Sequence, residues 1–333
     1  MTHRPLFLIT MDTEGDNLWS RPRLATTHNA DFLPRFQTLA EQHGLRPTWL
    51  VDQDMLSSPR MISFGRDVLA RGAGEIGMHP HAWNTPPLIP VTPDDFNTQP
   101  FITSHPEDVI FDKINHLATQ LEEAFESPIT SHRGGRWALD ARYARALVAR
   151  GITVDCTVTP GLRWRDATGT VTDHTSCGIH PYRVDLDAPS RAGQSDLIEI
   201  PMSIVPRPSP HAGQWMRLLG PPGQRLARRL CPDHIWMRPS GWNRRDLLEL
   251  LESAVENKWP CLEFMLHSSE LMPGGSPRFR TRRSIERLYN DLQVLFRAAE
   301  TSCVGATLTE AARQLSPHNT SAADPATPEI AHS

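Results

Sequence analysis

FLITMDTEGD, residues 7–16, is an apolar run that ends in three acids, Asp12, Glu14 and Asp16. A short, apolar, β-branched run of this kind is a buried strand, and the acids stand at its C-terminal end. A second stretch, GEIGMHPHAWNTPP at residues 74–87, closes an apolar turn with His79 and His81, and Trp83 lies just beyond. A third, MLHSSELMPGG at 265–275, puts His267 at another strand end. Carboxylates and imidazoles at the ends of separate strands suit a zinc-type hydrolytic site, which keeps one position open for water. Strand-end groups of this sort gather in one pocket at one face of an α/β barrel.

Working outward, strand and helix signals alternate, which argues for parallel strands joined by crossover helices. Helices are expected at 29–43, 59–72, 106–126, 138–150, 246–256 and 281–299. Strands are expected at 5–11, at RPTWLVD, EIGMH, ITSHRGG and ITVDCTVTP, at 196–204, and at CLEFMLH, 261–267. The Pro-, Thr- and Asn-rich loop 82–105 comes directly after the histidines and is expected to roof the site. The regions 160–196 and 205–241 read as irregular. Residues 316–333 have little apolar content and are expected to be disordered. One barrel domain over 1–315, with 205–245 an elaboration carrying Trp215, Trp236 and Trp242, is the expected organisation.

The 333 residues carry a net charge of −4, so nothing points to nucleic acid. The basic runs at Arg225, Arg228 and Arg229 and at Arg278, Arg280, Arg282 and Arg283 are local and read as solvated faces. Five widely spaced cysteines without a CxxC read as reduced thiols of a cytoplasmic protein. The first apolar run is too short for a signal peptide, and no stretch of about 20 apolar residues is present to span a membrane. An apolar patch on 205–245 would make a homodimer surface.

Residues two apart on extended backbone project to one side, so Asp12 and Glu14 share a face, and so do His79 and His81. Pro80 favours extended backbone at His79. Acids after a strand also serve as caps, and an HxH pair also occurs in plain surface loops; the two motifs together are more specific than either.

Here the chain resembles a family. FLITMDTEGD is similar to the first motif of the polysaccharide deacetylases (the NodB-homology carbohydrate esterases), EIGMHPHAW to the second, SHRGGRW to the arginine motif and MLHSSEL to the last. The four stand in the family's order over roughly residues 5–270. The departures are specific: Asp12-Thr13-Glu14 replaces two adjacent aspartates, and the histidines are two apart rather than four, with Trp83 at the four-apart position. These resemble a divergent DxE and HxHxW branch. The resemblance implies a distorted (β/α)7-type barrel and a hydrolase that removes an N-acetyl group from an amino sugar of a glycan or glycan precursor. It implies Asp12 as base, Glu14, His79 and His81 as ligands of a divalent ion such as zinc, Arg133 holding Asp12, and His267 as acid. Which of Asp12 and Glu14 is the metal carboxylate stays open. Trp83 and Trp137 either stack on a sugar ring or join the core. Asp155 either orients a group in the site, where it would reach substrate, or serves as a structural cap. An allantoinase-like hydrolase of small cyclic amides and an inactive sugar- or partner-binding barrel are the alternative readings.

Overall fold

The computed structural model describes residues 3–207 and 233–315. Trp215, the basic run at 225–229 and the tail at 316–333 lie outside the described residues. Thirteen strands are described: β1 Leu6–Thr13, β2 Thr48–Val51, β3 Glu75–Met78, β4 Ser131–His132, β5 Val154–Asp155, β6 Arg163–Arg165, β7 Val171–Asp173, β8 Tyr182–Arg183, β9 Ile198–Glu199, β10 Ile204–Pro206, β11 His234–Trp236, β12 Cys261–His267 and β13 Val304–Ala306. The helices are α1 Leu33–Gln42, α2 Pro59–Ala70, α3 Asp95–Thr98, α4 Glu107–Phe125, α5 Ala141–Arg150, α6 Arg244–Glu256, α7 Arg282–Ser302 and α8 Leu308–Leu315.

Seven strands run parallel in the order β12-β1-β2-β3-β4-β5-β9, and β8 pairs antiparallel to the last of them. The gap between β9 and β12 is bridged by single hydrogen bonds. Glu263 N–H donates to Ser203 Oγ (2.9 Å). Met265 N–H donates to Met237 O and Met237 N–H to Ser203 O. The result is a curled, distorted (β/α)7 barrel, as the family resemblance and the alternating pattern together imply.

β1 is the axis of this arrangement. It is buried along its whole length, against β12 on one edge and, on the other, β13 at its start and β2 at its end. Two-residue periodicity sorts its side chains. Phe7, Ile9 and Met11 join the layer between sheet and helices, where Phe7 meets Phe296 of α7 edge-on. Leu6 and Leu8 face a second apolar cluster with Leu50, Val154, Ile198 and Cys261, capped by Leu308, Ala311 and Ala312 of α8. Thr10 and Asp12 continue that inner face towards the C-terminal mouth. The same parity on β12 places Cys261, Glu263 and His267 beside Leu6, Leu8 and Asp12.

Local chemistry sets the ends. Ser58 accepts from Met61 N–H and starts α2 with Pro59 at the first position; Asp140 accepts from Tyr143 N–H and starts α5. The helix expected over 29–43 begins as a 3₁₀ turn, His28–Phe32, before α1. The single strand expected at 196–204 is two. Pro201 has no N–H for the ladder, so β9 stays in the barrel while β10 leaves to pair antiparallel with β11. The irregular stretch 160–196 holds the β6–β7 hairpin. No helix among the described residues is long and apolar enough to cross a membrane.

Gly77 of β3 faces the barrel interior. A Cβ there would stand 2.3 Å from Ser131 Oγ and 2.7 Å from Leu50 Cδ2. Gly77→Ala is expected to lower stability by on the order of 1–3 kcal/mol through overpacking. Thermal or urea unfolding checks this, and an unchanged midpoint would contradict the packing described.

Candidate active site

The mouth of the barrel holds a cavity of about 250 Å³. Asp12, Glu14, His79, His81, Trp83, Arg133, Trp137 and His267 all line it, together with Leu18, Trp19, Gln99, Gly134, Arg136, Trp164 and Arg238. Strands β1, β3, β4 and β12 each deliver their share at their C-terminal ends, where loops can vary without disturbing the sheet.

Glu14 is the meeting point. Its Oε1 lies 2.8 Å from His79 Nε2 and 3.0 Å from His81 Nε2. His79 Nδ1–H donates to the Arg133 carbonyl (2.8 Å), which turns Nε2 towards the cavity. A bond of this kind is the usual way a protein orients an imidazole ligand. Burial would raise the Glu14 carboxyl, but His267, His79 and His81 outweigh it and hold it well below the usual range. Burial works against a charge on His79, yet Asp12 and Glu14 lift its pKa to about 9. His81, under the same burial and beside His79, is pushed down. Two imidazole nitrogens and a carboxylate oxygen thus lie within 4.8 Å of one another and fit a divalent cation. Asp12, Glu14 and His267 form a second such trio.

Asp12 is divided between two tasks. Its Oδ1 accepts from Arg133 Nη1 at 2.5 Å. Its Oδ2 faces the cavity, 3.8 Å from both His79 Nε2 and His267 Nε2. Burial would raise this carboxyl; Arg133, His79 and His267 keep it ionised and lower it. Arg133 is fully buried and spends every arm. Nε donates to Cys156 O (3.1 Å), and Nη2 donates to Thr10 Oγ1 (2.7 Å) and to Glu263 Oε1.

His267 Nδ1 has two partners, Arg238 Nη2 at 3.0 Å and Glu270 Oε2 at 3.2 Å. These two contacts hold the ring with Nε2 facing the cavity. Burial would raise Glu270, but Arg238 and His267 bring it down to about 2.

The aromatic residues form the walls. Trp83 is buried and stacks on His81 (ring centroids 4.3 Å apart, 24° between planes). Trp19 meets His267 edge-on at 4.9 Å. Trp137 packs against Trp236, which in turn packs against Trp164. The loop after the histidines supplies Trp83 and Gln99. It is pinned from behind by Lys113 of α4, whose Nζ donates to the carbonyls of Ala82 (2.9 Å), Thr85 (2.7 Å) and Pro87 (2.7 Å). Burial pushes Lys113 down to about 8. Gly135 is required here, because a Cβ on it would stand 2.2 Å from His81 Nδ1.

Asp155 stands elsewhere. Val154 and Cys156 face the barrel interior, so the residue between them points outward, beneath α5. There Asp155 accepts from His132 Nδ1–H (2.8 Å) and Thr157 Oγ1–H (2.6 Å), and His132 Nε2 bonds Tyr143 Oη (2.8 Å). It does not line the cavity; its bonds to His132 and Thr157 support the β4–β5 edge. Sequence reasoning passed over Glu263 and Arg238. Glu263 had a signal, a charge at an inner position of an apolar strand; Arg238 had none, because it arrives from a distant irregular segment.

No family model matches the sequence, and no curated protein matches it. Among solved structures, the chain is similar to a candidate polysaccharide deacetylase from Mycobacterium smegmatis, at 14% identity and TM-score 0.56, over 99% of this chain and 96% of that one. It is also similar to a 4-alpha-glucanotransferase from Thermococcus litoralis, at 12% identity and TM-score 0.55, over 94% of this chain and 41% of that one, so it spans less than half of that enzyme. The chain therefore has the barrel fold of the polysaccharide deacetylases. A glucanotransferase shares the fold, and the reaction must be argued from the site.

Glu270 gives a pH prediction. A carboxyl held near 2 in the fold, against an ordinary 4.5, contributes stability above pH 4.5 and loses it as pH falls from 4.5 towards 2. The difference amounts to about 3 kcal/mol. Glu270→Gln is expected to be less stable than wild type at pH 7 by about this amount and to show a shallower acid limb between pH 4.5 and 2. Chemical unfolding across that range measures both; parallel curves for the two proteins would refute the assignment.

Proposed function

We propose that this protein is a metal-dependent hydrolase that removes an N-acetyl group from an amino sugar. The observation that carries the reading is the convergence of His79 Nε2 and His81 Nε2 on Glu14 Oε1, facing Asp12 and His267 across one cavity. Glu14, His79 and His81 are the residues that would hold the ion. When bound, a zinc-type ion supplies Lewis-acid polarisation of the acyl carbonyl and acidifies water.

The remaining work belongs to side chains. Asp12 Oδ2, left free by the Arg133 bond to Oδ1, accepts the proton of the attacking water. The water oxygen bonds to the acyl carbon, and the C–N bond then breaks. His267 Nε2 gives its proton to the departing amine, so the products are acetate and the free amino sugar. Arg133 keeps Asp12 ionised, and Arg238 with Glu270 keeps His267 Nε2 directed into the cavity. Base and acid thus stand beside different neighbours, an arrangement that suits such chemistry. The tryptophan walls offer faces on which a pyranose ring stacks.

The test is metal content together with acetate release. Wild type is expected to bind about one divalent ion per chain and His79→Ala/His81→Ala to bind none. Asp12→Asn and His267→Ala are each expected to lower kcat on N-acetylated sugars by roughly 10²–10⁴-fold. A wild type that takes up no ion after reconstitution and releases no acetate would overturn the proposal.

A further inference from the structure

Among the described residues, the charges of the cavity are matched in pairs, with one exception. Arg133 is answered by Asp12 and Glu263, Arg238 by Glu270, and Glu14 by His79 and His81. Arg136, from the turn GGRW, also lines the cavity and has no carboxylate within ion-pair distance among the described residues. One arm, Nη1, donates to the Gln99 carbonyl, and the guanidinium lies 5.0 Å over the Phe101 ring. Nε and Nη2 have no hydrogen-bond partner among the described residues. Asp166, the acid whose charge acts on Arg136, is occupied by Phe101 N–H (2.9 Å), Ser104 Oγ–H (2.8 Å) and Thr168 Oγ1–H (2.7 Å). The neighbouring cation is Arg21, which adds to the positive potential.

The backbone reinforces this placement. Arg136 and Trp137 are both in the left-handed region, at φ +57° and +64°. Two consecutive non-glycine residues there carry a cost of order 1–3 kcal/mol each. The turn is held by its surroundings: Gly135 N–H donates to Pro80 O, and Gly134 N–H to Thr157 Oγ1. What the strained turn achieves is to aim a guanidinium and an indole into one cavity side by side. Asn17, Arg21 and Gln99, also at positive φ, stand in or next to the loops of the same mouth.

We propose that Arg136 recognises an anion on the substrate, so that the preferred substrate is an N-acylated amino sugar bearing a phosphate or a carboxylate next to the ring. This rests on the reading of the site as an N-acyl sugar hydrolase. The sugar ring packs on the tryptophan wall, the acyl group points to Asp12 and His267, and the anion meets the two free arms of Arg136. A planar guanidinium takes either oxyanion in a two-point hydrogen bond. A cavity of about 250 Å³ has room for one such ring, below the roughly 300–1,000 Å³ of drug-sized pockets.

The experiment compares N-acetylglucosamine, N-acetylglucosamine 6-phosphate and N-acetylmuramic acid, by calorimetric binding and by acetate release, on wild type, Arg136→Met and Arg136→Lys. Wild type is expected to bind the better charged sugar at least ~10-fold more tightly than the neutral one, with the preference shrinking as salt rises. In Arg136→Met that ratio is expected to fall to about one, while Arg136→Lys keeps part of it. Which charged sugar wins tells phosphate from carboxylate. Equal binding of neutral and charged sugars by wild type, or a preference that survives in Arg136→Met, would overturn the proposal. An Arg136-dependent preference without acetate release would sink the deacetylase reading and leave the anion site standing. Acetate release without the preference would do the reverse.

Discussion

The buried guanidinium of Arg133 is the constraint on which the rest depends. It sits at the end of β4 and reaches Thr10 and Asp12 on β1, Cys156 O beyond β5, and Glu263 on β12. A cation with no exposure is tolerated only when each donor is used, and here each nitrogen is. Leaving Asp12 and Glu263 without it would cost about 3–5 kcal/mol, the usual penalty for stranding a buried charge. The same bond that closes this part of the barrel also fixes which oxygen of Asp12 is free.

Glu263 is the counterpart. Burial raises its carboxyl to about 7 even though Arg133 pulls the other way. Its presence on an inner face of β12 lets one arginine be shared by two acids. Beneath this polar layer, the inner cluster of Leu6, Leu8, Leu50 and Ile198 is closed by α8. The barrel interior is therefore layered, apolar at the base and ionic towards the mouth. The ionic layer lies where the loops begin, so chemistry and stability share side chains at one level only.

Much of this was legible in the chain. The run to Asp12 and Glu14, the histidine pair and the strand ending in His267 are local patterns with a fixed parity, and a strand's two-residue period carries them to one mouth. Arg133 stood out through the SHRGG motif. Asp155 was not placed by the same means, because parity on a two-residue strand cannot be told from composition when both faces are buried. Arg238 was invisible because it pairs with Glu270 across 32 positions of sequence.

The sequence by itself determined the alternation of strands and helices, the inner face of β1, and the placing of Asp12, Glu14, His79, His81 and His267 at strand ends, because each depends on spacings of one or two residues. Only the tertiary structure decided the pairings: that Glu14 gathers both imidazoles, that Asp12 gives one oxygen to Arg133, that Arg136 meets no carboxylate among the described residues. Those depend on the register between strands far apart in the chain. Close packing and charge balance settle that register, and neither is local.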